Sequence, residues 1–325
     1  MDYHYRSVAD LNSCIVKSIS KNPKDIDLIV GIPRSGMLAA SVLALHTNSL
    51  LTDVEGFIAG RLFETGRRLS GKTKTFDQCR RVLVIDDSVR SGYSIKAVKS
   101  RIGNRYPDKE ILYAAVFGPG KQKGLVDLYY ESCPTPRLFE WNLMHHNVLS
   151  ESCVDLDGVL CRDPNREEND DSTNYIDFIQ TVKPYLRPTV KLGYIVTNRL
   201  EKYRPQTEAW LQQNGIDYGE LIMLDLPNKQ ARREANCYST HKAKVYLETK
   251  SALFIESSEL QSREISQITG KSVFCVDTRQ IINPTFLERN RGRVLKRLRN
   301  LKLLEKLKKL KKLLRPQSKG LYKSP

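Results

Sequence analysis

The sequence predicts an α/β protein: two doubly wound, parallel-sheet domains followed by a basic amphipathic helix. Three observations support this prediction. Short apolar runs, typical of strands buried on both faces, alternate with stretches of helical spacing. Two of these runs lead directly into paired acidic residues, at Asp86-Asp87 and at Asp155-x-Asp157. Basic residues are concentrated after residue 285, where leucines recur at helical spacing.

A length of 325 residues suggests about two domains, and we predict boundaries at 1–147, 148–285 and 286–325. An apolar content of 40% supports real cores, and no window resembles a transmembrane segment or a signal peptide. The seven cysteines are scattered without a Cys-x-x-Cys pair, so neither a disulfide framework nor a zinc site is indicated. We therefore expect a reducing, cytoplasmic environment.

The first domain is predicted to begin with an amphipathic helix over Asp2–Ile19. A strand over Asp27–Val30 follows and runs into the turn Gly31-Ile32-Pro33-Arg34-Ser35-Gly36, with a helix after it. Glycine-rich turns between a strand and a helix allow an anion to approach the backbone closely. This turn is therefore a candidate anion site.

The central motif of this domain is an apolar strand over Val82–Ile85, followed by Asp86 and Asp87 and a loop of small and hydroxylated residues over Ser88–Ser94. Such a loop at a helix N-terminus points N–H groups and hydroxyls at a phosphate. Carboxylates repel phosphate, but they suit sugar hydroxyls or a magnesium-bound group. The motif indicates a site for a phosphorylated sugar. The alternative is an ordinary buried strand ending in a polar turn.

This motif resembles the signature with which type I phosphoribosyltransferases bind phosphoribosyl pyrophosphate (PRPP). The resemblance implies that Asp86 and Asp87 hold the ribose hydroxyls, while Arg90 stands where the family usually has threonine. The residues implied to hold the 5-phosphate are Ser88, Val89, Arg90, Ser91, Gly92 and Ser94.

The same resemblance implies a pyrophosphate site in the earlier turn and a mobile basic loop that closes over PRPP. The pyrophosphate candidates are Gly31, Arg34, Ser35, Gly36, Arg61 and Arg67. A solvated basic loop is the alternative for Arg61 and Arg67. In the family, residues late in the domain help to receive the acceptor, but we interpret Trp141 as a core aromatic residue.

The second domain opens with a short apolar strand that delivers Asp155 and Asp157, followed by Gly158. Residues two apart on a strand point to one side, so both carboxyl groups can converge. One carboxylate can attack phosphorus while the other handles the proton of the leaving group. A solvated acidic turn is the alternative.

The pattern Asp155-x-Asp157-Gly158 resembles motif I of phosphatases of the haloacid dehalogenase superfamily. That resemblance implies Asp155 as the nucleophile, Asp157 as the general acid/base and Thr197 as the residue that binds the phosphoryl group. Lys242 fits the lysine of motif III, with Lys244 as its rival. The implied Mg²⁺ ligands are Asp155, Asp157 and Glu256, although the usual second acid of motif IV is missing and Glu259 is one residue off the common spacing.

About 35 residues separate Asp157 from the strand that ends in Thr197, and in this superfamily a sizeable cap domain needs more. An uncapped site suits a bulky substrate such as a polymer or a lipid-linked glycan.

From Glu288 to Pro325, 15 Lys and Arg stand against 2 Glu. We expect this tail to form a helix that binds an anionic membrane surface. Coiled-coil assembly and nucleic-acid binding are the alternatives, but no nucleic acid is expected because base-reading motifs are absent.

Together the two motifs predict a bifunctional enzyme that is similar to the dual-domain ribofuranosyltransferases of surface-polysaccharide assembly. It would transfer 5-phosphoribosyl from PRPP to a glycan or glycolipid acceptor and then remove the 5-phosphate, with Mg²⁺ as cofactor. We expect it in the cytoplasm, peripheral at the inner face of the membrane. Two alternatives remain open: nucleobase salvage with nucleotide dephosphorylation, and a non-catalytic regulator that senses PRPP.

Overall fold

The computed structural model describes residues 3–64, 66, 74–119 and 124–285. The chain divides into two compact units between His146 and Asn147. Each unit is built on a mainly parallel sheet flanked by helices, which confirms the predicted α/β class. The predicted basic helix over 286–325 lies outside the described residues. Within the described ranges, no helix is both long enough and apolar enough to cross a membrane.

The first unit contains a five-stranded parallel sheet in the order β3-β2-β4-β5-β6 and a two-stranded parallel sheet that pairs β1 with β7. The strands are β1 (His4–Arg6), β2 (Leu28–Gly31), β3 (Leu50–Asp53), β4 (Arg81–Ser88), β5 (Glu110–Gly118), β6 (Leu128–Ser132) and β7 (Arg137–Phe139). The helices are α1 (Val8–Ser18), α2 (Ser35–Thr47), α3 (Val54–Ile58) and α4 (Tyr93–Ile102), with short 3₁₀ turns at Ile19–Lys21, Phe76–Gln78 and Glu140–His145.

Strand β4 shows why the central run of this unit is apolar at every position. Val82 and Val84 belong to one core cluster, which includes Ile95 of α4. Leu83 and Ile85 belong to the cluster on the other face. Successive side chains of a strand point to opposite faces, so a strand covered on both sides has no place for an alternating polar residue.

The order of the strands creates a crevice between β2 and β4. These two strands are neighbours, with Gly31 opposite Ile85, but the chain reaches β3 on the far side of β2 before it returns to form β4. The connections at the carboxyl ends of β2 and β4 therefore lead in opposite directions. Open α/β sheets bind their ligands at such a switch point.

Two predicted element boundaries in this unit are wrong. The strand predicted to end at Ile85 continues to Ser88, because Asp86 and Ser88 pair with residues of β5. The helix predicted over Asp2–Ile19 is preceded by strand β1. Helix α1 begins only after Ser7, whose side chain accepts a hydrogen bond from the Asp10 N–H while the Asp10 carboxylate accepts one from the Ser7 N–H. This capping box ends the strand and starts the helix.

The second unit contains a six-stranded sheet in the order β10-β9-β8-β11-β12-β13, in which only the edge strand β13 is antiparallel. The strands are β8 (Ser152–Val154), β9 (Leu192–Leu200), β10 (Tyr218–Leu224), β11 (Leu253–Glu256), β12 (Val273–Cys275) and β13 (Gln280–Ile282). The helices are α5 (Thr173–Thr181), α6 (Arg204–Gln213), α7 (Lys229–Ala235), α8 (Tyr238–Glu248) and α9 (Glu259–Thr269), with 3₁₀ turns at Asn147–Glu151 and Glu201–Tyr203.

The first strand of this unit, β8, lies in the middle of the sheet between β9 and β11. The chain adds strands on the β9 side first and then crosses to the β11 side. A switch point therefore lies between β8 and β11 as well, and Asp155 and Glu256 lie at the carboxyl ends of these two strands.

Candidate active sites

Asp87 joins the two predicted motifs of the first unit. Its buried carboxylate accepts hydrogen bonds from the Ser35 hydroxyl, 2.9 Å from Oδ1, and from the Trp141 indole N–H, 2.8 Å from Oδ2. The turn after β2 and the acid pair of β4 thus come together at the switch point. Trp141 stacks on Phe139, with ring centroids 4.9 Å apart, but it is only half-buried. The interpretation of Trp141 as a core residue therefore misses its contact with the site.

Asp86 lies against the backbone of its neighbours. Its Oδ1 accepts a hydrogen bond from the Asp87 N–H, 2.9 Å away, and its side chain is buried. Burial, together with the negative charge of Asp87, raises the pKa of Asp86 to about 8. Gly36 makes this approach possible, since a Cβ there would lie 2.9 Å from Asp86 Oδ1.

The loop between β4 and α4 lines a cavity of about 180 Å³. The cavity contains the predicted 5-phosphate residues and adds Arg137, which sequence analysis missed. Arg137 lies on β7, and no local motif marks it. Burial lowers the pKa of its guanidinium, and the positive charge of Arg90 acts in the same direction while Asp87 opposes both. The lining residues are Asp86, Ser88, Val89, Arg90, Ser91, Gly92, Tyr93, Ser94, Ile95 and Arg137.

Not every predicted ligand of the first unit is placed for its role. The Val89 side chain belongs to the core, and its N–H donates to the Phe117 carbonyl at 2.9 Å, so this amide is not available to a phosphate. Arg34 and Arg61 have exposed side chains, and neither lines the cavity at the Ser88–Ser94 loop. Arg67 lies outside the described residues. The pyrophosphate roles of these arginines stay predictions.

In the second unit, Lys242 connects two buried acids. Its Nζ lies 2.6 Å from Asp155 Oδ2 and 2.6 Å from Glu256 Oε2, and all three side chains are buried. Burial raises the pKa of Asp155, the Lys242 ammonium opposes this, and the charge of Glu256 adds to the rise. The rival Lys244 is exposed and faces Glu248 instead. The structure therefore brings Lys242, and not Lys244, to Asp155.

Asp157 is held by a residue that sequence analysis missed. The Arg199 guanidinium is fully buried, and its Nη2 lies 2.6 Å from Asp157 Oδ1, with Nε within 3.2 Å of both carboxylate oxygens. Arg199 lies two residues after Thr197 on β9, and the backbone N–H of Arg199 donates to the Thr197 hydroxyl at 3.2 Å. The sequence did offer a signal for this role, because Arg199 closely follows the buried strand residues that end in Thr197.

These residues surround a cavity of about 200 Å³ at the carboxyl edge of the sheet. It brings together all four predicted catalytic residues, namely Asp155, Asp157, Thr197 and Lys242. The remaining lining residues are Asp163, Pro164, Asn169, Tyr175, Asn198, Arg232, Tyr238, Ser257 and Gln261. Sequence analysis missed Asp163 and Arg232, because each lies in a charged stretch that is typical of a solvated surface.

Gly158 allows the loop after Asp157 to turn under this cavity. Its φ of 78° favours glycine, and a Cβ there would lie 2.3 Å from Ser257 Oγ and 3.0 Å from Asp163 Oδ2. Glycine at this position is therefore required both by the backbone and by its neighbours.

Glu256 does not line the cavity. One of its oxygens accepts from Lys242, and the other accepts from the N–H groups of Ser257 and Ser258, at 3.0 and 3.2 Å. Glu259 pairs with Arg263 on the surface of α9. In the described part of the chain no three His, Cys, Asp or Glu side chains form a group that could hold a metal ion by themselves. The predicted ligand set of Asp155, Asp157 and Glu256 is therefore not assembled in this structure.

No protein-family model matches the sequence, and no curated protein matches it. Several solved structures are similar to part of the chain. Xanthine-guanine-hypoxanthine phosphoribosyltransferase from Helicobacter pylori is 20% identical, with 43% of this chain and 93% of that chain covered and a TM-score of 0.33. Purine phosphoribosyltransferase from Pyrococcus horikoshii Ot3 is 20% identical, with 43% and 94% covered and a TM-score of 0.32. Likeness at this level does not define a substrate.

Proposed function

We propose that the chain is a bifunctional enzyme that transfers 5-phosphoribosyl from PRPP to an acceptor and then hydrolyses the 5-phosphate of the product. One observation carries the proposal: each sheet has a pair of acids at its switch point, next to groups suited to a phosphate. The product of the first reaction is a phosphomonoester, which is the kind of substrate that the second site would take. Removal of the phosphate would make the transfer difficult to reverse.

In the first reaction the bond from ribose C1 to pyrophosphate breaks, an acceptor hydroxyl oxygen forms a new bond to C1, and the hydroxyl proton leaves with the pyrophosphate. Asp86 and Asp87 would hold the ribose hydroxyls, and Ser35 and Trp141 keep the Asp87 carboxylate in one orientation. The 5-phosphate would lie in the cavity at the N-terminus of α4, where Arg137 adds a positive charge. Holding both ends of the ribose positions C1 for attack.

In the second reaction a carboxylate oxygen of Asp155 attacks phosphorus, and the ribose O5 leaves. Asp157 would give a proton to that oxygen and then accept one from the water that hydrolyses the aspartyl-phosphate, releasing phosphate. Lys242 offsets the charge that builds up around Asp155. Arg199 keeps Asp157 oriented towards the cavity throughout.

The charges around the second site fit a divalent cation. In the resting site, before Asp157 takes up the proton that it later donates, four acids stand against three bases, so a phosphate dianion would enter a region that is already negative. Asp163 has no hydrogen bond or ion pair to another described residue through its carboxylate. Mg²⁺ commonly binds one or two carboxylates and the substrate phosphate, so Asp155 and Asp163 would hold it here in place of Glu256. The cation would supply positive charge to the transferring phosphoryl group. The charged groups counted are Asp155, Asp157, Asp163, Glu256, Lys242, Arg199 and Arg232.

A glycan is the acceptor that the second unit favours. Between Asp157 and β9 the chain forms a single helix, α5, and no cap domain is inserted in this described segment. The cavity can therefore receive the phosphorylated end of a large molecule. The amphipathic tail after residue 285 would hold the enzyme at an anionic membrane, where a lipid-linked glycan is assembled.

Incubation with PRPP, Mg²⁺ and candidate acceptors tests the two-step scheme. Wild type should release pyrophosphate and phosphate and leave unphosphorylated ribofuranose on the acceptor, whereas Asp155→Ala should accumulate the 5-phosphoribosyl product. Mass spectrometry of the acceptor distinguishes the two. If no product accumulates with any acceptor and Asp86→Ala behaves like wild type, the scheme is refuted. Release of a nucleoside from a free nucleobase would favour salvage instead.

The membrane role of the tail has a separate test. The full chain should co-sediment with phosphatidylglycerol vesicles and not with phosphatidylcholine vesicles, and binding should weaken as salt rises from about 0.05 M to 0.5 M, because surface charges are screened within a Debye length. Equal binding to both lipids, or none to either, would contradict the membrane proposal.

A further inference from the structure

A second cavity opens between helices α8 and α9, beside the catalytic cavity of the second unit. We call it the α8/α9 groove. Its volume is about 540 Å³, against about 200 Å³ for the catalytic cavity. Tyr238 and Gln261 line both cavities, so the groove begins where the catalytic cavity ends. The residues that line the groove are Asn236, Tyr238, Ser239, Thr240, Ser258, Leu260, Gln261, Glu264, Gln267 and Ile268.

The lining of the groove is rich in neutral hydrogen-bonding groups. Four hydroxylated residues, Tyr238 among them, and three amides contribute donors and acceptors, and Glu264 is the one charged residue among the described residues that line it. Ser239 donates to the Glu264 carboxylate at 2.6 Å, which ties α8 to α9 at this point. Because no Lys or Arg of the described chain lines it, the groove is not suited to a polyanion such as a nucleic acid.

Apolar and aromatic side chains complete this surface. Leu260 and Ile268 are large apolar residues that are 67% and 42% exposed. Tyr238 lies at the junction with the catalytic cavity and offers a ring with a hydroxyl at its edge. Neutral sugars combine equatorial and axial hydroxyls with apolar C–H faces, so they match a surface of amides, hydroxyls and exposed apolar groups.

The volumes of the two cavities suit different parts of the substrate. Pockets that enclose a drug-sized ligand measure about 300–1,000 Å³. A cavity of 200 Å³ therefore has room for a phosphorylated pentose but not for the molecule attached to it, whereas the groove is large enough for further sugar residues. The molecule attached to the pentose must therefore extend out of the catalytic cavity, and it can pass Tyr238 and Gln261, which line both cavities, to reach the groove.

We propose that the α8/α9 groove binds the neutral sugar residues of the acceptor glycan while its phosphoribosyl end occupies the catalytic cavity. This inference rests on the proposed phosphatase reaction and specifies the class of its substrate. Gln261 couples the two regions, because its Oε1 accepts hydrogen bonds from Lys242 Nζ at 3.2 Å and from Asn198 Nδ2 at 3.3 Å. A sugar bound beside Gln261 would thus contact a residue that positions Lys242.

The test compares three phosphomonoesters on the full-length protein with Mg²⁺. The probes are methyl 5-phosphoribofuranoside, the same phosphoribose linked to a galactose disaccharide, and adenosine 5′-phosphate, with both anomers used for the first two. Wild type should hydrolyse the galactose-linked probe with a kcat/KM at least about tenfold higher than the methyl glycoside, mainly through a lower KM, since groove contacts add binding.

Gln267→Trp fills the groove without touching the catalytic cavity, and Lys244→Trp is the matched control, since Lys244 is 74% exposed on α8 and lines neither cavity. Gln267→Trp should abolish the tenfold advantage of the galactose-linked probe and leave the methyl glycoside unchanged, while Lys244→Trp should preserve both rates. Gln267→Ala provides a milder variant, and unchanged methyl glycoside turnover shows that each variant is folded.

Three results would overturn the inference. Wild type could hydrolyse both ribofuranosides equally, the advantage of the galactose-linked probe could survive in Gln267→Trp, or adenosine 5′-phosphate alone could lose turnover in that variant. Hydrolysis of the methyl glycoside without a groove effect would leave the phosphatase proposal intact. Failure to hydrolyse any of the three probes would instead refute the phosphatase proposal itself.

Discussion

Arg199 and Asp157 form a buried ion pair between positions 42 residues apart, with Nη2 and Oδ1 separated by 2.6 Å. The Arg199 side chain is 0% exposed and that of Asp157 is 17% exposed. A planar guanidinium that contacts both carboxylate oxygens fixes the plane of the carboxyl group, which a lysine ammonium cannot do. The proposed acid/base therefore has its orientation set by a residue of the neighbouring strand.

Arg199→Lys should lower kcat for phosphomonoester hydrolysis by about 10²-fold, because a small misplacement of a proton-transferring group has an effect of that size. KM should change less, since Arg199 does not line the cavity. Steady-state hydrolysis of ribose 5-phosphate measures both constants. Arg204→Lys, which alters an arginine that pairs with Glu201 and Glu208, is the control. A variant with wild-type kcat would show that Arg199 has no positioning role.

Asp163→Asn should weaken metal binding to the second unit by at least about tenfold if Asp163 is a ligand. Mn²⁺ is the probe, and the electron paramagnetic resonance signal of the free ion measures binding without turnover. The Mg²⁺ concentration needed for half-maximal phosphatase activity should rise in parallel. Asp177→Asn, an exposed acid on α5, is the control. Unaltered Mn²⁺ affinity in Asp163→Asn would remove Asp163 from the metal site.

Asp86→Asn should change how the melting temperature of the first unit depends on pH. The pKa of Asp86 rises from 3.8 to about 8 in the folded protein. Between these values the native state holds a proton that the unfolded chain has released, so the native state loses stability as pH rises through this range. The asparagine variant lacks this loss, and its advantage over wild type should grow from pH 5 to pH 8.

Differential scanning calorimetry in EDTA measures this difference, with the exposed Asp77→Asn as control. The two units can melt separately, so the transition of the first unit is identified in a separate scan of wild type without EDTA, by its shift on addition of PRPP and Mg²⁺. A constant difference between Asp86→Asn and wild type across the pH range would contradict the raised pKa.

Trp141→Phe should weaken the binding of Mg²⁺·PRPP by about tenfold. The substitution keeps the ring stacked on Phe139 but removes the N–H that donates to Asp87, and a hydrogen bond to a charged group contributes about 1.5–3 kcal/mol. Isothermal titration calorimetry measures the affinity. Phosphatase activity of the second unit serves as the control and should not change. An unaltered affinity for Mg²⁺·PRPP would show that the indole does not organise Asp87 for binding.

Trp141 also offers an optical signal. The chain has two tryptophans, and the other, Trp210, is buried in the second unit, where its N–H donates to the Val182 carbonyl at 2.7 Å. Addition of PRPP with Mg²⁺ should therefore change the emission of wild type and leave that of Trp141→Phe unchanged. A change of equal size in both proteins would mean that the signal does not come from the Asp87 site.

The α/β class, seven of the ten residues that line the first cavity and four of the thirteen that line the second were predictable from the sequence for a common reason. Strands buried on both faces are uniformly apolar, and the polar residues that follow them must lie at the carboxyl edge of a parallel sheet. Val82–Ile85 before Asp86 and Cys153–Val154 before Asp155 are examples. A local pattern of this kind places the acids at an edge without knowledge of the rest of the fold.

The errors arose where the outcome depends on distant residues. Strand β1 exists because residues His4–Arg6 pair with Arg137–Phe139, and a helical pattern of short range does not contain that information. One partner of Glu256 is distant as well: its oxygens accept from Lys242 of α8 and from the neighbouring Ser257 N–H, and its role as a metal ligand stays a prediction. Lys242, the predicted lysine, is the one that contacts Asp155, and its rival Lys244 is exposed on the same helix, because only the Lys242 face of α8 packs towards the sheet.

Apart from strand β1 and the end of β4, the sequence by itself determined the strands and helices that lead into the two sites, because periodicity and local composition are properties of neighbouring residues. Only the tertiary structure decided the partners of those polar residues: Trp141 with Asp87, Arg199 with Asp157, and Lys242 with both Asp155 and Glu256. The groove between α8 and α9 was likewise decided only by the tertiary structure. Each depends on strand order and helix packing, which bring together residues that are far apart in the chain.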